Sequence, residues 1–142
     1  MKGRDEMIQP IMRDPVFLAV PSEKATRADK QHALDLLDTL RANLDRCVGM
    51  AGNMIGVRKR IIAVHTGFSQ FAMFNPVIVS RNGPYEAEEG CLSLEGVRKV
   101  TRYEQIEVSF QDLMMKPHKQ KYSGHVAQII QHEVDHCDGI LI

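Results

Sequence analysis

The sequence predicts an α+β fold, a single domain of mostly antiparallel sheets packed around a C-terminal helix. Three observations predict it. The 142 residues suit one hydrophobic core and are short for two. Helical periodicity is confined to one early segment and one at the end of the chain. The clearest alternating stretch, Ile106, Val108 and Phe110 between Glu107, Ser109 and Gln111, lies between those two.

The elements follow in chain order. Up to about Pro21 the chain reads as irregular or short extended structure. A helix is predicted from about Arg27 to Arg46, with Thr26 as N-cap and Asp29 completing a capping-box variant. Its core stripe is Ala33, Leu37, Leu40 and Leu44, widened by Leu36. Gly49, Gly52 and Gly56 mark Cys47 to Val57 as a loop whose backbone approaches something closely or takes positive φ. It lacks the Gly-Lys-Ser/Thr of a phosphate-binding loop. From Arg60 to Phe110 the pattern is β-like, with apolar runs at Ile61-Ile62-Ala63-Val64 and Val77-Ile78-Val79. Arg81-Asn82-Gly83-Pro84 predicts a turn inside that region. A final helix is predicted from about Gly124 to Cys137, capped by Ser123, with Val126, Ile130 and Val134 as its core stripe and Ile129 at the edge.

Composition narrows the function classes. Apolar residues make up 44% and charged residues 25%, and 18 Lys+Arg balance 18 Asp+Glu. A chain of zero formal charge has no general drive toward nucleic acid or an anionic membrane. No apolar run approaches a membrane span, and the charged start, Met1-Lys2-Gly3-Arg4-Asp5-Glu6, leads into no signal-like stretch. Three cysteines, Cys47, Cys91 and Cys137, cannot all pair within one chain, so free thiols in a reducing cytoplasm are expected.

The last helix carries His132-Glu133-Val134-Asp135-His136, a His-Glu-x-x-His pattern. Residues four apart share a helix face, so both imidazoles can reach one cation, and Glu133 beside them can serve as general base toward a water. This makes it a metal-binding helix in expectation. Two histidines do not complete a catalytic site, which takes three protein ligands and one open position. Zinc proteases of this pattern take their third ligand downstream, but here only Cys137, Asp138, Gly139, Ile140, Leu141 and Ile142 remain. Asp138 is too near along the helix to join the same face. The third ligand is therefore expected upstream, from among Cys91, Cys47, His65, His118, His125 and several acids. Cys91 stands out because it sits in the glycine-hinged segment Glu88-Glu89-Gly90-Cys91-Leu92-Ser93.

Glu89-Gly90-Cys91-Leu92-Ser93 together with Gln131-His132-Glu133-Val134-Asp135-His136 resembles the peptide deformylase family at every fixed position of two motifs. Asp138-Gly139-Ile140-Leu141 and the early Asp14-Pro15…Leu18…Pro21-Ser22 extend the likeness over nearly the whole chain. The resemblance implies one divalent metal ion held by Cys91, His132 and His136. That ion is usually ferrous iron in the cell, although zinc, nickel and cobalt also suit the ligand set. It implies removal of the formyl group from N-formylmethionyl peptides or nascent chains, at the ribosome, in the cytoplasm, without membrane or direct nucleic-acid binding. It assigns the general base to Glu133 and an oxyanion-binding backbone N–H to Leu92. It also places Gly49, Met54, Glu89, Gly90 and His125 on the substrate-binding surface.

The sequence departs from the family in three places. The first family motif, Gly-x-Gly-x-Ala-Ala-x-Gln, aligns with Cys47-Val48-Gly49-Met50-Ala51-Gly52-Asn53-Met54, so Cys47, Gly52 and Met54 stand where glycine, alanine and glutamine are expected. The glutamine side chain donates to the oxyanion and methionine cannot, so reduced or altered activity is expected. Asn53 is adjacent, but neighbours in an extended loop point opposite ways. His125 stands where an apolar residue near the methionine pocket is usual, and would make that pocket more polar. Many members run on into a further C-terminal helix, whereas this sequence stops near the motif helix. Arg98 is expected to pair with a glutamate near the site, and Arg102 to lie on an exposed strand face. Asp135 is a candidate to orient a ligand, Cys137 to pack, and His32, His65 and His118 to be surface groups. Two other functions compete: a metal-binding deformylase-like protein without efficient turnover, in a binding or regulatory role, and a general zinc peptidase. Met54 favours the first of these, and the missing downstream ligand opposes the second.

Overall fold

A computed structural model describes residues 7–142, so the charged hexapeptide read for a signal, Met1–Glu6, lies outside the described residues. Helix α1 (Pro15–Leu18) opens the order, followed by α2 (Lys30–Ala42), strands β1 (Gly49–Ala51), β2 (Ile61–His65), β3 (Gln70–Cys91), β4 (Leu94–Gln111) and β5 (Pro117–Ser123), and finally α3 (Gly124–Cys137). The five strands form one sheet in the order β1-β2-β3-β4-β5, and every pairing is antiparallel. The α+β single-domain expectation therefore holds. Among the described residues no helix is long and apolar enough to cross a membrane.

β2 explains its own sequence. Ile61, Ile62, Ala63 and Val64 are all buried, which a half-exposed strand would not allow. Both faces of β2 are covered, and α2 and α3 are the helices packed against it. Leu36 and Leu40 of α2, Met73 and Phe74 of β3, and Ile130 and Val134 of α3 share this core.

The Thr26–Asp29 forecast fares well, whereas Ser123 occupies the N-cap position of α3 without a side-chain capping bond. The Thr26 N–H donates to the Asp29 carboxylate at 2.8 Å, and a short 3₁₀ turn, Arg27–Asp29, leads into α2. α2 ends at Ala42 rather than near Arg46, because Asn43 caps it and sends its side-chain amide back to the Thr39 carbonyl at 2.7 Å. The irregular N-terminal stretch contains one helical turn, α1: Asp14 accepts from the Val16 N–H at 3.0 Å and Pro15 occupies the first turn.

Three strand expectations need correction. The predicted loop at Cys47–Val57 includes strand β1, which pairs Gly49, Met50 and Ala51 with Val64, Ala63 and Ile62, followed by a 3₁₀ turn, Gly52–Ile55. Arg81-Asn82-Gly83-Pro84 is no turn. It lies inside β3, with Asn82 opposite Gln105 and Pro84 opposite Tyr103. Gly83 alone takes positive φ, +73°, so glycine lets the strand bend without ending. β3 is paired only on its β4 side there, where a sheet tolerates proline. Strand β5 was not foreseen. Its residues are exposed on both faces apart from half-buried Tyr122, so no alternation signals it.

Candidate metal centre

α3 carries His132 and His136 one turn apart, and β3 delivers Cys91 at its end, where the β3–β4 hairpin meets the helix. Cys91 Sγ lies 3.2 Å from His136 Nε2, which in turn lies 3.2 Å from His132 Nε2. One ligand atom from each of the three residues falls within 4.8 Å of the others. Nitrogens each about 2.0–2.1 Å from one tetrahedral ion stand about 3.3 Å apart. A single proton on His136 Nε2 cannot serve both a sulfur and a second imidazole nitrogen, whereas one cation serves all three. The residues fit a thiolate–bis-imidazole metal site. Of the upstream candidates, Cys91 is the one whose ligand atom converges with one from each histidine, while the acid Glu89 meets His132 on its other ring nitrogen.

The surroundings hold His132 more firmly than His136. Glu89 Oε1 lies 2.7 Å from His132 Nδ1. Arg102 donates from Nε and Nη2 to the same carboxylate at 2.7 to 3.1 Å, and Gln128 adds a bond at 2.8 Å. Arg102 also reaches Asp135 Oδ2 from Nη1 at 2.6 Å. Burial by itself would raise the Glu89 carboxyl, but the bonds from His132, Arg102 and Gln128 hold it down at about 2. Burial opposes charge on His132 too, yet Cys91 and Glu89 lift it to about 10. Burial, and next the charge on His132, push His136 down to about 3. His136 Nδ1 is buried without a hydrogen-bond partner.

This network corrects two expectations. Arg102, read as an exposed strand residue, is 3% exposed and carries the ion pairs. Arg98, read as the pairing arginine, reaches only the Glu95 carbonyl at 3.3 Å, although it sits directly opposite Glu89 on the neighbouring strand. Glu89, expected on the substrate surface, lines the neighbouring cavity and also gives its carboxylate to His132, Arg102 and Gln128.

Glu133 is buried, with Oε1 lacking any partner. Burial pushes its carboxyl up to about 7, the range where a carboxylate takes and gives protons at neutral pH. A cavity of about 500 Å³ opens beside it, lined by Gly49, Met54, Glu89, Gly90, Cys91, Leu92, His125 and Glu133 among others. Gly49 is needed for closeness: a Cβ there would stand 2.6 Å from Ile129 Cγ2 and 2.8 Å from Glu133 Oε2.

The degenerate motif segment forms one wall. Met54 is buried, and its sulfur accepts from the Ala51 N–H at 3.3 Å. Asn53 is fully buried and donates from Nδ2 to the His136 carbonyl at 2.9 Å. It therefore braces α3 and offers no amide to the cavity, and it does so from a 3₁₀ turn, not the extended loop expected. A Cβ on Gly52 would meet the carbonyls of Lys59 at 2.8 Å and Val57 at 2.9 Å.

The remaining predicted residues are scattered. His125 is exposed at the cavity lining. Cys137 is buried, and burial drives its thiol up to about 12. Cys47 lines the cavity half-buried, and burial, then Glu133 and Cys91, raise it to about 11. Asp138 pairs with Arg60 at 2.6 Å. His32 and His118 are exposed as expected and His65 is half-buried, but His65 and His118 have partners, Gln70 at 2.8 Å and Asp112 at 2.7 Å. Arg102, Gln128 and Asn53 are the residues that reading the sequence missed. Gln128 stands four residues before His132 on the same helix face, a signal that was there to use.

Comparison with known proteins gives one answer. A sequence profile described as polypeptide deformylase matches residues 8–142. A peptide deformylase from Clostridium beijerinckii is 54% identical over 136 residues, covering 96% of this chain and 100% of the relative. One from Pelotomaculum thermopropionicum is 44% identical, covering 84% of this chain and 80% of the relative. Among solved structures, an actinonin-bound class I type b peptide deformylase from Acinetobacter baumannii superposes with a TM-score of 0.85 at 27% identity, covering 96% of each chain. The peptide deformylase of Thermus thermophilus gives 0.85 at 33% identity, covering 94% of this chain and 83% of that one.

Proposed function

This chain belongs to the peptide deformylase family, a family of metal-dependent hydrolases, and from that premise we propose how its own residues carry the reaction. Cys91, His132 and His136 hold the ion. Ferrous iron is the ion that membership of the family implies in the cell, and one thiolate with two imidazoles accepts zinc, nickel or cobalt as well. When bound, the ion supplies Lewis acidity, activating a water and polarising the formyl oxygen.

The substrate is an N-formylmethionyl peptide or a nascent chain emerging at the ribosome, in the cytoplasm. Glu133 Oε1 takes the proton from the attacking water and returns it to the amine nitrogen as the formyl C–N bond breaks, releasing formate. Glu89, itself fixed by Arg102 and Gln128, accepts from His132 Nδ1–H, so that Nε2 presents its lone pair. The Leu92 N–H donates to the developing oxyanion, and Gly49, Gly90 and His125 shape the space around the peptide. The observation that carries this reading is the convergence of one sulfur and two imidazole nitrogens beside a buried carboxylate with a free oxygen.

The second oxyanion donor is missing. Met54 has no N–H or O–H on its side chain, Asn53 is committed to His136, and Gln128 is committed to Glu89. Loss of one such donor typically costs about 10²–10³ in rate. We therefore expect slow deformylation. The same observation favours a second reading, a metal-binding relative without efficient turnover.

Steady-state kinetics of the anaerobic ferrous protein on formyl-Met-Ala-Ser, with metal analysis, decide between them. Slow turnover that rises at least about tenfold in kcat in Met54→Gln supports the reading. Bound metal with no turnover in either protein selects the second. Fast turnover unaffected by Met54→Gln removes the oxyanion argument.

A further inference from the structure

The cavity that holds Glu133 has one permanently charged exposed side chain in its lining, Arg46. The acidic side chains in that lining, Glu89 and Glu133, are both buried. His125 is the other exposed ionisable group there.

Arg46 does not hang loose in solvent. Its Nη2 donates to Asn43 Oδ1 at 2.5 Å, and its backbone N–H to the Asn43 carbonyl at 2.9 Å. Asn43 is buried and anchored in turn by its own amide on the Thr39 carbonyl at 2.7 Å. The guanidinium is thus aimed by the end of α2, with its Nε and Nη1 donors left over. Among the described residues it has no acidic partner. A planar fork with donors to spare, oriented before any ligand arrives, loses little entropy on taking a carboxylate.

We propose that Arg46 is a specificity-determining residue that favours formylated peptides bearing an acidic side chain in the two residues after the methionine. This rests on the deformylase reading above. The reacting formyl group must reach Glu133 inside the cavity, so the chain that follows has to leave past the exposed part of the lining. There it meets Arg46 as the one fixed charge in the exposed lining. A carboxylate at that point is attracted, a lysine repelled, and a neutral side chain left indifferent.

The test uses the metal-loaded full chain and C-terminally amidated peptides, so that no terminal carboxylate competes. Formyl-Met-Asp-Ala and formyl-Met-Ala-Asp amides are compared with their Asn and Lys counterparts at low salt. We expect kcat/KM for at least one Asp peptide to exceed its Asn partner roughly two- to fivefold, in line with a partly exposed ion pair, and the gain to shrink with added salt. The Asp:Asn ratio falls to about one in Arg46→Gln and inverts in Arg46→Glu, whatever happens to the absolute rate. Binding of the deformylated product peptides, measured by calorimetry, follows the same ratios without turnover. Equal kcat/KM for Asp and Asn peptides in the wild type overturns the proposal, as does a preference that survives Arg46→Gln. Failure to deformylate any of these peptides, the neutral ones included, overturns the deformylase reading instead.

Discussion

The proton inventory of Glu133 sets the first test at the scale of single residues. Among the described residues it is the one carboxylate with a buried oxygen free of partners, and it is not among the three converging donors. Glu133→Gln keeps the shape and removes the proton acceptor. Turnover should fall by about 10²–10⁴ while metal content stays near one ion per chain, read by kinetics and elemental analysis together. Metal lost along with activity would instead make Glu133 a ligand. Arg102 is the complementary case, because it touches no ligand. Arg102→Met strands Glu89 and Asp135 without their cation, and a broken buried ion pair costs about 3–5 kcal/mol. Denaturant unfolding should show that loss, and metal affinity should drop roughly 10–100-fold as His132 loses its fixed partner.

Elements show why the departures in the first motif are not independent substitutions. The family pattern has alanine where Gly52 stands, yet the 3₁₀ turn here brings two backbone carbonyls within 2.9 Å of where that Cβ would sit. Backbone cannot swing aside as a side chain can, so Gly52→Ala should destabilise by about 1–3 kcal/mol, measured as a shifted unfolding midpoint. Unchanged stability would mean the turn adjusts freely. The same contrast decides what the sequence could reveal. α3 was legible in full because the Val126-Ile130-Val134 stripe and the His-Glu-x-x-His face are both local signals. The metal ligands were legible because two short motifs carry them. Arg102 was not, because its burial comes from Asp135 on a helix that packs over the strand, a long-range fact that no periodicity encodes. Arg81-Asn82-Gly83-Pro84 misled for the same reason: its turn chemistry is real, but the pairing of β3 with β4 continues on both sides of it.

Across the whole molecule, the proposed ion acts as a cross-link as well as a catalyst. Its ligands join two parts of the chain that are anchored very differently. The end of α3 is already fixed without it: the Cys137 carbonyl accepts from Ser22 at 2.8 Å, the His136 carbonyl from Asn53 at 2.9 Å, and Asp138 holds Arg60 at 2.6 Å. The hairpin end at Cys91–Leu94 is a two-stranded tip, and Cys91 joins it to a helix residue 45 positions away. Removing the ion should therefore loosen the tip far more than the helix. An ion held at a hundred times its dissociation constant adds about 2.7 kcal/mol to folding, worth roughly 5–10 °C in Tm for a chain of this size. Chelation should lower Tm by that amount, and re-addition of ferrous or nickel ion should restore it. Amide exchange should quicken around residues 90–97 and stay slow in Ile61–His65, whose protection comes from core packing. Cys91→Ala should start at the chelated Tm and ignore added metal. A chelated protein with unchanged Tm and an equally protected hairpin would show that the tip is held by its strand pairing alone, with the ion a passenger in the fold.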